Sequence, residues 1–184
     1  MARKESITLE NILTTAFEMT REEGYQNATA RKVAAKAGCS TQPIFRVYKN
    51  MEELSQAVYG KAIDFFRDYY DLYPRTSSVP FTNLGMAYIA FAREEKHLFE
   101  LLFLAEIPFK KSMYEILNGD KGNVKVEISN AATLGCANAG GMFMQMWIFI
   151  HGIACMSLTG DYDLSEQETK VLLENSYKAF ATSN

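Results

Sequence analysis

Apolar positions recur at three- and four-residue intervals along the whole chain, and no stretch keeps the two-residue alternation of a half-buried strand. Between Thr8 and Glu23, Ile12, Leu13, Ala16, Phe17 and Thr20 share one side, and Gly24 ends the segment. Val33, Ala34 and Ala37 mark the inner face of a short second helix that Thr29 can cap. A third follows, capped by Ser40 or Thr41, with Ile44 and Val47 expected inward and Thr41, Gln42, Phe45, Arg46 and Tyr48 outward. Pro43 falls in its first turn, where a missing N–H is little loss. Asn50-Met51-Glu52-Glu53 has the N-x-x-E form of a helix cap, opening a long fourth helix that Pro74 stops near Tyr73. Helices are then predicted over about 81–95, 97–104, 123–134, 138–158 and 165–181, with a further segment over 109–117 after Pro108. Ser165-Glu166-Gln167-Glu168 is a capping box for the last. The result is an all-α chain of about nine helices.

Between the second and third helices, Ala37-Gly38-Cys39 reads as a sharp turn, with Gly38 at a left-handed position. Two short helices around a glycine turn have the form of a helix-turn-helix, whose second helix enters the major groove of DNA. The pattern divides the chain into a helix-turn-helix domain over 1–50 and a larger helical domain over 51–184.

Length and composition add a boundary. At 184 residues and 48% hydrophobic content, the chain can bury a sizeable core, and four prolines and eleven glycines exclude a fibrous or disordered class. Net charge is −3, so no polybasic surface announces a nucleic-acid partner. The first sixty residues hold eight cations, Arg3 and Lys4 among them, against seven acids, and the remainder holds eleven against fifteen. That balance suits DNA contact through a few placed cations. The odd set Cys39, Cys136 and Cys155 shows no framework spacing, which fits a reducing cytoplasm. The N-terminus carries no secretory pattern. Met142–Leu158 is the most apolar run, but its 17 residues include Gln145, His151 and Gly152. It is therefore read as a helix buried on nearly all sides, not as a membrane span. Gly140-Gly141 and Gly119-x-x-Gly122 match no phosphate-binding fingerprint, and no cofactor is expected.

Residues 7–66 resemble the N-terminal domain of the TetR/AcrR family of transcriptional regulators. The resemblance rests on Ile12, Ala16, Phe17, Gly24-Tyr25, Thr29, Val33-Ala34, Ala37-Gly38 and Ile44-Phe45-x-x-Tyr48-Lys49-Asn50-x-Glu52-x-Leu54. Met51 stands where the family usually has lysine, which removes one phosphate contact, and Lys32 stands at an often acidic position. The family implies a non-enzymatic homodimer, usually a repressor, that binds a palindromic double-stranded operator and is released by a small effector. Carried onto this chain, the DNA-facing residues are Thr29, Arg31, Ser40, Thr41, Gln42, Pro43, Phe45, Arg46, Tyr48 and Lys49. Gln42 can pair bidentately with adenine and Pro43 can pack on a thymine methyl. Arg31 and Arg46 can reach bases or phosphates, while Thr29, Tyr48 and Lys49 suit phosphates.

Trp147-Ile-Phe-Ile-His151-Gly152 resembles the W-x-x-x-H-G signature of one TetR C-terminal subtype, and Tyr88–Glu95 with Leu98-Phe99 resembles its preceding stretch. Residues 105–134 are the least matched. Trp147, His151 and Cys155 share one helix face at i, i+4, i+8. A metal would find only His151 and Cys155 there, and a Cys–His catalytic pair would lack an orienting third group. The plain structural reading is a tryptophan packed over a hydrogen-bonded histidine. The alternative is a helical enzyme or binding protein that uses this face. An effector pocket is expected among the later helices, lined by Phe66, Tyr70, Tyr88, Phe91, Phe103, Gln145, Trp147 and His151, and suited to a largely apolar molecule. The last two helices are expected to pair two subunits. One side of the final helix carries Leu172, Ser176 and Ala179, and another carries Leu173, Tyr177 and Phe180.

Overall fold

The computed structural model describes residues 8–182, so Arg3 and Lys4 lie outside the described residues. Among these, all regular structure is helical, in ten α-helices. The segment over 109–117 is a true helix, though it starts later, because Ser112 caps it and Glu115 reaches back in a full capping box.

The chain forms two compact units. The first runs to Phe65 and takes in Glu95–Lys110. It contains α1 (Leu9–Glu23), a single 3-10 turn at Tyr25–Asn27, α2 (Ala30–Lys36), α3 (Gln42–Val47) and the start of α4 (Met51–Leu72). It also contains the four-residue α6 (Lys96–Phe99), which continues as a π-helical turn over Glu100–Leu104. Ile12, Ala16, Phe17 and Met19 of α1 are buried, as are Val33 and Ala34 of α2, Ile44 of α3 and Leu98 and Phe99 of α6. Gly24 leaves the helix at φ +89, and a Cβ there would meet the His97 ring at 3.4 Å. Arg21 makes a bidentate pair with Glu95, its Nε donating at 2.7 Å, while its guanidinium lies 4.9 Å from the Phe65 ring centre.

The second unit comprises Phe66–Glu94 and the chain from Lys111 onward. Its helices are the end of α4, α5 (Thr82–Glu94), α7 (Met113–Asn118), α8 (Asn123–Thr133), α9 (Ala139–Thr159) and α10 (Glu166–Thr182). The helix buried on nearly all sides is α5, not α9 as expected. Leu84 through Ile89 are consecutive buried residues, joined by Phe91 and Ala92. A Cβ on Gly85 would come within 2.9 Å of Ile150 Cδ1 on α9 and Leu173 Cδ1 on α10, so its bare backbone is what lets both helices close on α5. α9 is long and apolar enough to cross a membrane by length and composition, yet it buries a single side, with Met142, Met146, Trp147, Ile150 and Ile153. Met144, Ile148 and Met156 remain exposed on the other. The burial on nearly all sides expected from its apolarity is met within this chain on one side only.

Phe81, ahead of α5, takes a left-handed φ of 64 although it is not glycine. Its N–H donates to the buried Glu127 carboxylate of α8 at 2.6 Å, and its ring packs on Phe143 and Tyr177. Burial raises the Glu127 carboxyl above its usual range, while the Phe81 N–H and the Arg75 charge work in the other direction.

Candidate nucleic-acid interface

The helix-turn-helix is built as its residues dictate. Thr29 Oγ1 accepts the Lys32 N–H at 3.4 Å to start α2. Gly38 takes φ +69, and the Cys39 N–H donates to the Ala34 carbonyl at 2.9 Å, so the turn satisfies the last carbonyls of α2. Pro43 sits in the first turn of α3, and Thr41 occupies the cap position without a side-chain bond. After α3, Asn50 Oδ1 accepts the Glu53 N–H at 2.9 Å, while the Glu53 carboxylate accepts the Lys49 N–H at 2.6 Å. Both ends of the N-x-x-E cap act, with the return bond one residue earlier than expected.

One orientation expected of α3 is reversed. Val47 is 37% exposed, whereas Tyr48 is only 6% exposed. The helix stops at Val47, and Tyr48 leaves it in extended conformation at φ −111, ψ 128. The buried line therefore runs from Ile44 to Tyr48, and Val47 joins the outer surface. Burial, with Glu53 nearby, raises the Tyr48 hydroxyl pKa, so it stays a neutral hydrogen-bonding group.

The remaining candidates lie at the surface of the helix-turn-helix or partly within it. Thr29, Arg31, Ser40, Gln42, Phe45, Arg46 and Lys49 are exposed, and Thr41 and Pro43 are half-buried. The cations of this unit fall into two groups. Lys32 lies 3.4 Å from Glu23 and 3.0 Å from Asn27, and Lys36 pairs with Glu22, so both are tied to the end of α1 and the turn after it. Arg31, Arg46 and Lys49 make no ion pair among the described residues. Val47, beside Phe45 and Arg46, is the outward residue that the pattern missed. Only the early end of α3, which no residue type announces, would have revealed it.

In the second unit, Tyr88 is fully buried and its hydroxyl lies 2.9 Å from His151 Nδ1. Cys155 Sγ lies 3.6 Å from His151 Nε2, and the Trp147 ring is stacked against the imidazole with centroids 6.1 Å apart. Both ring nitrogens are engaged, and burial pushes the Cys155 thiol pKa up, which disfavours the thiolate that nucleophilic or redox chemistry requires. Phe66 packs edge-on against Phe91 at 4.9 Å and Tyr88 against Trp147 at 4.7 Å, so these pocket candidates form one aromatic cluster. Tyr70 is buried under Arg75, Gln145 is on the exposed side of α9, and Phe103 belongs to the first unit, packed on Phe99. Among the described residues no group of three or more His, Cys, Asp or Glu could hold a metal ion.

Residues 12–58 match the model of the bacterial regulatory proteins of the tetR family, and residues 81–180 match that of the tetracyclin repressor-like C-terminal domain. No curated protein matches the chain. Among solved structures, a TetR-like transcriptional regulator from Rhodococcus sp. RHA1 is similar over 99% of this chain and 100% of its own, with a TM-score of 0.67 at 12% identity. A TetR-family protein from Vibrio parahaemolyticus is similar over 93% and 97%, with a TM-score of 0.66 at 15% identity. The fatty acid degradation regulator FadR from Bacillus halodurans is similar over 95% and 98%, with a TM-score of 0.53 at 14% identity. At such identities the structural likeness carries the fold, and the two sequence matches, with an outward-facing helix-turn-helix, carry the assignment: the chain belongs to the TetR family of DNA-binding transcriptional regulators.

Proposed function

We propose that this regulator is a repressor that binds a palindromic operator as a homodimer and is released by a small, largely apolar effector. Residues 1–50 read DNA, and 51–184 bind the effector and dimerise, in the W-x-x-x-H-G subtype of C-terminal domain. The protein acts in the cytoplasm, without catalytic activity, cofactor or membrane association. The observation that carries this reading is the surface of α3. Gln42, Phe45 and Arg46 are exposed on it, Lys49 follows, and neither Arg46 nor Lys49 makes an ion pair among the described residues. Thr41, Gln42 and Pro43 supply base readout, Lys49 with Thr29 and Tyr48 supplies the salt-sensitive phosphate grip, and Arg31 and Arg46 reach bases or phosphates, with Ser40 alongside. The effector lies among Phe66, Tyr70, Tyr88, Phe91 and Trp147, with Gln145 or His151 meeting its polar groups. Each tenfold loss of operator affinity requires about 1.4 kcal/mol of effector preference for the released form. Selection of bound duplexes from a random pool tests the reading. A single two-fold symmetric site with salt-dependent affinity is expected, and a pool that stays random after selection overturns it.

A further inference from the structure

The first unit contains a cleft of ≈ 170 Å³ that the reading above does not use. Leu54 and Val58 of α4 form one wall, and Leu101, from the π-helical turn, forms another. The Tyr25 and Phe109 side chains also line it, with Thr20, Glu52 and Ser55 contributing polar groups. A space of this size is close to the roughly 150 Å³ cavity that accommodates benzene, so it suits a single ring or a short branched alkyl body. The apolar walls are preorganised. Val58 and Leu101 are buried, and Phe109 is held edge-on against Tyr59 at 5.6 Å. The lining also contains a π-helical turn, a form often found at functional sites. Its one charged group is Glu52, which is exposed and makes no ion pair among the described residues.

An apolar hole lined by two aromatic rings and one unpaired carboxylate is the chemistry that holds an ammonium group on a small hydrophobic body. We infer that this cleft is a binding site for a small arylalkyl- or alkylammonium compound, with the apolar body against Val58 and Leu101 and the cation between Glu52 and the aromatic rings. All lining residues belong to the first unit, so the site is separate from the proposed effector cluster around Tyr88 and Trp147, and neither reading depends on the other. The same α4 turn that carries Glu52 follows α3 through Asn50, so occupancy falls next to the DNA-reading helix.

The test titrates the full chain with 2-phenylethylammonium, its neutral counterpart 2-phenylethanol and the anion phenylacetate, following the methyl resonances of Leu54, Val58, Leu101 and Ile107. The ammonium compound should shift these methyls and bind at least ~10-fold more tightly than either of the others. Glu52→Gln should weaken it by about tenfold and leave 2-phenylethanol unchanged. Ala28→Leu, which fills the cleft from the turn after α1, should abolish binding of both. If that variant fails to fold, Ser55→Phe fills the same space from α4. Equal affinity for the three probes would overturn the assigned chemistry. Ammonium binding that survives the filling variant, or an absence of methyl shifts up to the solubility limit, would overturn the site.

Discussion

Gln42 opens α3 and Lys49 follows its end, and their chemistry separates base readout from backbone grip. A bidentate amide–adenine pair is worth about 1–3 kcal/mol of discrimination, so Gln42→Ala should cost that much at the selected operator and little on random DNA. Lys49→Ala should weaken all sequences alike and reduce the salt slope by about one. Competition binding at several salt concentrations distinguishes them, and equal losses on both kinds of DNA would show that α3 does not read bases. Glu127 allows a second residue-scale test. Its folded pKa lies above the ordinary 4.5 because burial disfavours the charge. A raised folded pKa means a contribution to stability that is fully present below the unfolded value and lost as pH rises through the folded one. Glu127→Gln cannot ionise, so its stability relative to the parent should rise from about pH 4.5 toward neutrality. Urea midpoints at several pH values read this, and a difference independent of pH would mean that Glu127 ionises in the fold as easily as in the unfolded chain.

The elements whose signals are local were legible in the sequence, and those whose boundaries depend on packing were not. Gly38 marked a left-handed turn, and the caps at Thr29, Asn50 and Ser165 all form, with the Asn50 return bond shifted to the Lys49 N–H. The end of α3 carries no such mark, so Val47 and Tyr48 exchanged sides. Pro108 drew the start of α7 too early, because the capping serine at 112 controls that boundary. The aromatic and small residues of α5 gave no sign that it, and not the more apolar α9, is enclosed by its own chain. Hydrophobicity reports that a face will be covered, without saying by what. The enclosure of α5 rests on Gly85, where substitution sets two effects against each other. Replacing a mid-helix glycine gains about 1 kcal/mol of helix propensity. Forcing a side chain between Ile150 and Leu173, both buried, costs about 1–3 kcal/mol or more. Gly85→Leu adds a large side chain, so overpacking should win and the urea midpoint should fall. An unchanged midpoint would mean that α9 and α10 move apart at no cost.

At the scale of the whole molecule, the exposed side of α9 calls for a partner. Ile148 is 67% exposed, with Met144 and Met156 on the same helix, and Val171 is exposed on α10. The two sides of α10 differ in burial: Leu173 and Tyr177 are buried and Phe180 half-buried on one, while Leu172 and Ser176 are half-buried and Ala179 exposed on the other. A two-fold axis through this surface would pair α9 and α10 of each subunit as a four-helix bundle, and an operator with half-sites in successive major grooves asks for two copies of α3 about 34–36 Å apart or somewhat wider. Ile148→Glu tests that arrangement, because the side chain is open in the single chain and its replacement should leave the subunit folded. Symmetry places the change at two positions in each dimer. At about 2 kcal/mol for a central apolar contact, the two together weaken self-association by ~10³-fold. Val126→Glu, also exposed but on α8, is the control and should leave assembly intact. Sedimentation at micromolar concentration should therefore show dimers for the parent and for V126E, and monomers for I148E. Operator affinity should fall with the dimer, since one α3 reads only one half-site. A monomeric I148E chain that keeps full operator affinity would detach DNA reading from this surface, and a dimeric one would place the interface elsewhere.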